Sequence, residues 1–253
     1  MKCLHETDRK EVLGKLREEG MQNLLLESWL EDFPLDSYST LHLMGERNYV
    51  LSVPSVATLI SFPDGYEPTE EDLMYFFEDN SPTIIGPKNI IHRILGIFPE
   101  RKASDSRIYG MLLQENHGHD EDVVELKTDE EIVDLLHLYM EVDEFRSTFE
   151  EYTEEEFIES SREMLASGRI TTGIYRDGRL RSAASFTKMQ LENICTHPLY
   201  RNKGLARRTI TELLHLIPTQ EGGKRIILST DNPIAGKLYE TLGFSFLGDY
   251  SRI

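Results

Sequence analysis

Apolar positions in the second half of the chain switch between two rhythms, and the switches mark a sequence of short elements. Residues 123–126 (Val-Val-Glu-Leu) read as a strand, and residues 130–140 place Ile132, Leu135, Leu136 and Tyr139 at helical spacing. Thr153 and Glu156 have the spacing of a capping box, which opens a helix ending near Gly168. Two strand-like runs, 170–175 and 180–186, flank Arg176-Asp177-Gly178-Arg179, and Asp-Gly between such runs predicts a hairpin. A strand at 191–196, a helix at 203–216 and a strand at 225–229 follow. Asn232-Pro233 then supplies a cap and a first helical residue, Gly243 closes that helix, and 244–247 alternates like a last strand. With the sequence stopping at Ile253, that strand is expected to be short, or to be completed by a partner or by the first half. Strands linked first by a hairpin and then by helices predict an α/β fold with a mixed sheet and helices on its faces.

The first half is less legible. Residues 41–49 and 50–62 contain strand-like runs, the second broken by Pro54, which disfavours a central position in a sheet. Residues 70–77 resemble a short amphipathic helix, 81–88 a strand and turn, and 89–95 a further helix. Trp29, the sole tryptophan, shares a predicted core-facing helix with Leu24, Leu25, Leu26 and Leu30. The polar run 114–122 has no apolar residue and contains a glycine, so it is the expected boundary between a domain at 1–116 and one at 120–253. Its histidines, His117 and His119, have no third metal ligand beside them in sequence, so a surface linker without metal is expected.

Composition narrows the function. No run approaches the ~20 apolar residues of a membrane helix, and the first residues lack an apolar signal core. Cys3 and Cys195 are the only cysteines, too few for a disulfide framework or a zinc set, so a reducing cytoplasm is expected. The net charge of −18 opposes a phosphate backbone and argues against nucleic acid as a partner. The charge is uneven: residues 141–163 hold ten acidic and two basic residues, and residues 168–253 hold thirteen basic and seven acidic. A small polyanion would explain the basic third, and ordinary surface lysines and arginines would explain it as well.

Candidate chemistry concentrates at 191–206, where an apolar strand runs through Thr196-His197-Pro198-Leu199-Tyr200-Arg201-Asn202-Lys203-Gly204-Leu205-Ala206 into a helix. Free amides at a helix N-terminus form an anion site suited to a pyrophosphate. Gly204 would let the ligand approach the backbone, and Arg201, Lys203, Arg207 and Arg208 add positive charge. A plain strand–turn–helix with surface basics accounts for the same residues. No Gly-x-Gly-x-x-Gly or Gly-x-x-x-x-Gly-Lys-Ser/Thr occurs, which weakens a nucleotide-binding reading.

Arg201-Asn202-Lys203-Gly204-Leu205-Ala206, preceded by Thr196-His197-Pro198-x-Tyr200, resembles the pyrophosphate loop of the GNAT family of acyl-CoA-dependent N-acetyltransferases. A second family block, Asn-x-x-Ala-x-x-x-Tyr-x-x-x-Gly-Phe, is matched by Asn232, Ala235, Tyr239, Gly243 and Phe244. The resemblance covers roughly residues 120–253. It implies the acyl-CoA N-acyltransferase fold there and acetyl-CoA as cosubstrate. The amides of Asn202, Lys203, Gly204, Leu205 and Ala206 would hold the pyrophosphate. The backbone of Ile194, Cys195 and Thr196 would pair with the pantetheine arm where two parallel strands splay, and Asn232 would contact the cofactor. Tyr239 would protonate the departing thiolate, or be a half-buried core tyrosine.

Some family members carry a catalytic glutamate on the strand before the loop, which here would be Glu192; a solvent-facing glutamate is the bland alternative. Strict alternation would set Gln190, Glu192 and Ile194 on one face and Asn193 and Cys195 on the other. His197 is a second candidate base, though its context suits a turn cap. Cys195 as nucleophile is disfavoured because the family transfers the acyl group directly. The acidic stretch from Tyr139 to Ser167 would favour a cationic acceptor, and a solvated acidic helix explains it equally. The first half, with its strand–glycine–helix order at 84–91, resembles a degenerate copy of the fold of the kind some bacterial members carry. It lacks both blocks, so it is expected to bind no CoA and to pack against the catalytic half, wall the acceptor cleft or form a homodimer surface. The expected function is acetyl transfer to a primary amine of a small cationic molecule. The alternatives are a peptide or protein amine, and a non-catalytic acyl-CoA-binding module.

Overall fold

A computed structural model describes residues 2–35, 39–62, 67–72, 82–114, 117–219 and 222–253. These group by their contacts into two units, residues 1–111 with 229–253, and residues 112–228. Each is α/β with a mixed sheet.

In the first unit the sheet order is β1 (Lys2–Leu4), β2 (Thr40–Met44), β3 (Asn48–Val53), β4 (Ala57–Ser61), β5 (Ile84–Pro87), β12 (Ser245–Arg252), β6 (Ser104–Leu113). Neighbours are antiparallel except β4 and β5. The run 50–62 divides at Pro54-Ser55, with Ser55 at φ 66, so the proline sits in a hairpin turn. That corrects the expected edge position: β3 is fully buried and central, because Pro54 never has to donate to the ladder. Helix α1 (Glu6–Glu18) and helix α2 (Leu24–Asp32) bury Val12, Leu16, Leu26 and Leu30 with Leu41, Leu51 and Leu59, and Trp29 packs partly buried against this core. Helix α3 (Lys88–Ile97) starts directly after β5, without the expected turn, and seats Ile90, Ile91 and Ile94 against Val50 and Ile60. Most of the helix expected at 70–77 lies outside the described residues. β12 is eight residues long and is held by β5 and β6, which carries residues 229–253 into this unit.

The second unit follows the predicted order. Its sheet runs β11 (Lys224–Thr230), β10 (Gln190–Thr196), β9 (Arg179–Thr187), β8 (Ile170–Arg176), β7 (Val123–Glu125). Both β8 and β7 are antiparallel to their neighbours, and β11 is parallel to β10. Asp177 and Gly178, at φ 54 and 72, make the hairpin turn that Asp-Gly predicts. Helices α4 (Asp129–Met140) and α6 (Glu154–Ala166) each begin with a capping box, Thr128 with Glu131 and Thr153 with Glu156, worth about 1 kcal/mol per cap. Between them lies α5 (Asp143–Phe149). Ile132, Leu135, Leu136 and Tyr139 of α4 pack with Phe157, Leu180, Ala183 and Cys195. Helix α7 (Leu205–Leu216) buries Leu205, Ile210, Leu213 and Leu214, and the Thr209 carbonyl accepts from Thr172 of β8 at 3.0 Å.

Candidate acyl-CoA and acceptor site

Strand β10 pairs with β9 along most of its length and barely with β11. On the β11 side the register gives only Gln190 opposite Ile227, with the Ile227 amide donating to the Met189 carbonyl at 2.9 Å. Beyond that point the two parallel strands pair no further among the described residues. The backbone of Leu191–Thr196 therefore presents one edge without a strand beside it, as an added strand would require.

The β9 edge is interrupted as well. Glu192 lies opposite Ser185 and Cys195 opposite Ala183, so β10 holds one extra residue, and Asn193 adopts φ 50. This bulge corrects the expected alternation. It breaks the two-residue period at Asn193, so Glu192 and Asn193 line the same cavity while Cys195 turns into the core.

After β10 the chain makes a short 3-10 turn, Pro198–Tyr200, capped by His197. The His197 Nδ1 accepts from the Leu199 amide at 3.2 Å, which leaves the ring proton on Nε2, 3.3 Å from Glu141. Its free lone pair is thus already used, and it is a turn cap. Asn202 and Gly204 are left-handed, at φ 61 and 77, and Gly204 is the N-cap of α7. The first-turn amides of Leu205 and Ala206 have no intrahelical carbonyl to accept them, and the positive end of the helix dipole lies there. A Cβ placed on Gly204 would meet nothing within 4 Å, so the approach to this backbone is open.

The basic side chains are divided in their use. Arg201 donates to Glu144 at 3.0 and 3.1 Å and to the Thr196 carbonyl at 3.2 Å, bracing the loop against α5. Its guanidinium holds the Glu144 carboxyl below the usual range. Lys203 and Arg181 lie over the Tyr200 ring, 4.6 and 4.8 Å from its centre, and Tyr200 donates to Asp177. Arg208 forks onto Asp120 and reaches Asp122 at 2.7 Å. The run 117–122 is consequently bound to α7 by these contacts.

Under α4 and α6 lies a cavity of about 270 Å³. Tyr139, Phe149, Tyr152 and Phe157 form its aromatic wall, and Glu192 and Arg169 are its charged groups. Tyr139 stacks on Phe149 with centroids 4.4 Å apart, and burial pushes its phenol far above the ordinary value. Glu192 accepts from Thr187 at 2.8 Å and lies 3.6 Å from Arg169. Burial pushes the Cys195 thiol up to about 12, so it stays protonated and poorly nucleophilic.

In the first unit, helix α8 (Pro233–Thr241) has the predicted cap: Asn232 Oδ1 accepts from the Ile234 and Ala235 amides at 2.9 and 3.4 Å. Gly243, at φ 95, ends it. Tyr239 is 5% exposed, lies edge-on to Tyr109 and Phe244, and is pushed up to about 12 by burial. Gly236 is what lets Tyr109 approach, since a Cβ there would meet the Tyr109 hydroxyl.

Sequence order gave no hint of the aromatic wall, whose members come from three helices and the connection before the last of them, or of the groups around His119. Folding brings Glu212 and His215, distant in sequence, close to that histidine.

Residues 130–244 match the model of the acetyltransferase (GNAT) family. No curated protein matches the chain. A Drosophila protein of solved structure, 12% identical, superimposes with a TM-score of 0.59 and covers 100% of this chain and 97% of its own. A GCN5-related N-acetyltransferase from Sphaerobacter thermophilus, 14% identical, gives a TM-score of 0.54 and covers 90% and 84%. A putative acetyltransferase from Novosphingobium aromaticivorans, 20% identical with a TM-score of 0.42, covers 59% of this chain, which spans 63% of that one. The two similarities above a TM-score of 0.5 carry the fold. The matched family, whose members take the acetyl group from acetyl-CoA, covers the loop, the open strand edge and the second sequence block. Over residues 130–244 the chain is similar to the GNAT acetyltransferase family.

Proposed function

We propose that this protein is a cytoplasmic N-acetyltransferase that moves the acetyl group of acetyl-CoA directly to a primary amine of a small cationic molecule, with residues 120–253 as its catalytic part and residues 1–116 non-catalytic. The observation that carries the donor half is the unpaired β10 edge running into a loop with two left-handed residues at a helix N-terminus. In this reading the amides of Asn202–Ala206 hold the pyrophosphate. The backbone of Ile194–Thr196 pairs with the pantetheine arm and polarises the thioester carbonyl, and Asn232 contacts the cofactor. Arg201 acts by bracing the loop, and Lys203 offers charge to the phosphates.

The acceptor assignment rests on the cavity. Aromatic faces attract a cation, by ~0.5–2 kcal/mol per contact, and Glu192 at the bulge offers a carboxylate to an ammonium. The amine attacks the thioester carbon and the C–S bond breaks. Before the attack the ammonium loses one proton to Glu192 or through it to water; the CoA thiolate then takes a proton from Tyr239, and the second nitrogen proton, released as the amide forms, returns Tyr239 to its phenol.

Glu192→Gln is expected to lower kcat/KM for the amine by about 10²-fold while leaving the Kd for acetyl-CoA unchanged, as read by thiol release and by calorimetry. Equal kcat/KM in wild type and variant removes Glu192 from the reaction. Cys195→Ala is expected to retain acetyl transfer and to lose about 1–2 kcal/mol of stability through the small cavity it leaves; loss of turnover in the folded variant would put an acyl-cysteine back into consideration.

A further inference from the structure

Helix α7 buries a carboxylate that the transfer reaction does not use. Glu212 sits on its inward face with a side chain 4% exposed, and a buried carboxylate needs positive charge or several donors. Its two oxygens lie 3.0 and 3.1 Å from His119 Nδ1, and one of them accepts from the Asp120 amide at 2.7 Å. His215, three residues on and therefore on the same helix face, lies with its ring centre 5.4 Å from that of His119. One ligand atom from each of the three residues falls within 4.8 Å of the others.

The geometry points to a divalent transition-metal site, of the zinc class, formed by His119, Glu212 and His215. His215 Nδ1 donates to the His117 carbonyl at 2.8 Å. That fixes the tautomer and leaves the Nε2 lone pair free, the orientation that outer partners impose on metal-binding histidines. His119 would bind through Nδ1, the ring atom that faces the Glu212 carboxylate, in its Nε2–H tautomer. The Asp120 amide orients the Glu212 carboxylate. Asp120 itself is committed to Arg208, at 2.6 and 2.7 Å, and stays outside the ligand set. Two imidazoles and one carboxylate suit Zn²⁺ or Co²⁺ better than Ca²⁺ or Mg²⁺, which take oxygen ligands. The fourth position is left to water because His119 is on the surface. The metal would fasten the segment before β7 to the helix whose N-terminus carries the Gly204 loop, giving it a structural role that neither acetyl-CoA nor the amine shares.

The test uses the full chain, stripped by chelator and titrated with Co²⁺ and Zn²⁺ by calorimetry, with the visible ligand-field bands of Co²⁺ as a second readout. The expected result is one equivalent per chain, with His119→Ala and His215→Ala each weakening binding at least ~10-fold, the loss that even an outer partner produces. His117→Ala should bind as wild type, because only its backbone carbonyl is used. Glu212→Gln should bind weakly, and the two histidine variants keep the test valid if this buried substitution does not fold. Absence of uptake by wild type, or uptake undiminished in His119→Ala and His215→Ala, overturns the site. Uptake lost equally in His117→Ala shows binding by the His117 and His119 side chains and overturns it too.

Discussion

Replacing Tyr239 with phenylalanine is expected to lower kcat by about 10²-fold or more, the range for loss of a positioned general acid, with the Kd for CoA nearly unchanged. The phenol is well placed to stay protonated: burial pushes it up to about 12. A group with a raised value holds its proton below that value and loses it above. Catalysis by this acid should therefore show no alkaline fall-off until about pH 11. The substitution removes one oxygen and leaves the ring between Tyr109 and Phe244, so the variant should fold as wild type does. Steady-state thiol release together with calorimetric CoA binding separates the outcomes. Unchanged turnover in a variant that binds CoA would show that the thiolate gets its proton elsewhere. A non-catalytic CoA-binding module would have no turnover to lose.

Gly204→Glu is expected to weaken CoA binding by about 100-fold, because a carboxylate would then occupy the approach to the first amides of α7 and repel a pyrophosphate. Two effects must be separated here. At φ 77 any side chain costs ~1–3 kcal/mol of backbone strain, although nothing within 4 Å obstructs a Cβ. The new carboxylate also meets the positive helix end, which returns ~0.3–1 kcal/mol to the free protein. Gly204→Asn isolates the charge, since asparagine tolerates the left-handed region and is neutral. It should keep CoA affinity within about tenfold, a loss matching no more than the strain. If both variants bind CoA like wild type, the loop does not hold the pyrophosphate.

The second unit, and the last helix of the first, were legible because their signals are local. Asp177-Gly178, the Thr153/Glu156 box, Asn232-Pro233 and Gly243 each fix a boundary through a few neighbouring atoms, and each lies where the sequence put it. Pro54 misled because a proline's effect depends on whether its missing N–H faces a partner strand, and in the β3–β4 turn it faces none. The alternation of β10 failed for a related reason: a single left-handed residue, Asn193, inserts a bulge that no local composition announces. The aromatic wall and the His119–Glu212–His215 group were invisible for a third reason. Their members are separated by up to 96 residues in sequence and are joined only by the packing of α7 and of the α4–α6 layer. Charge was legible in amount and not in use, since Arg201 and Arg208 spend their positive charge on Glu144, Asp120 and Asp122.

Thermal unfolding of the wild-type chain with acetyl-CoA, with CoA and with ATP tests the central claim most directly. At ~100 times its dissociation constant, a ligand that binds only the folded state stabilises it by about 2.7 kcal/mol, a shift of several degrees in the midpoint. The account predicts that acetyl-CoA and CoA raise the Tm while ATP at the same concentration leaves it in place. Equal shifts with all three ligands would reduce the loop to a general polyphosphate site. No shift with either CoA species would contradict the donor site, and with it the acetyltransferase reading.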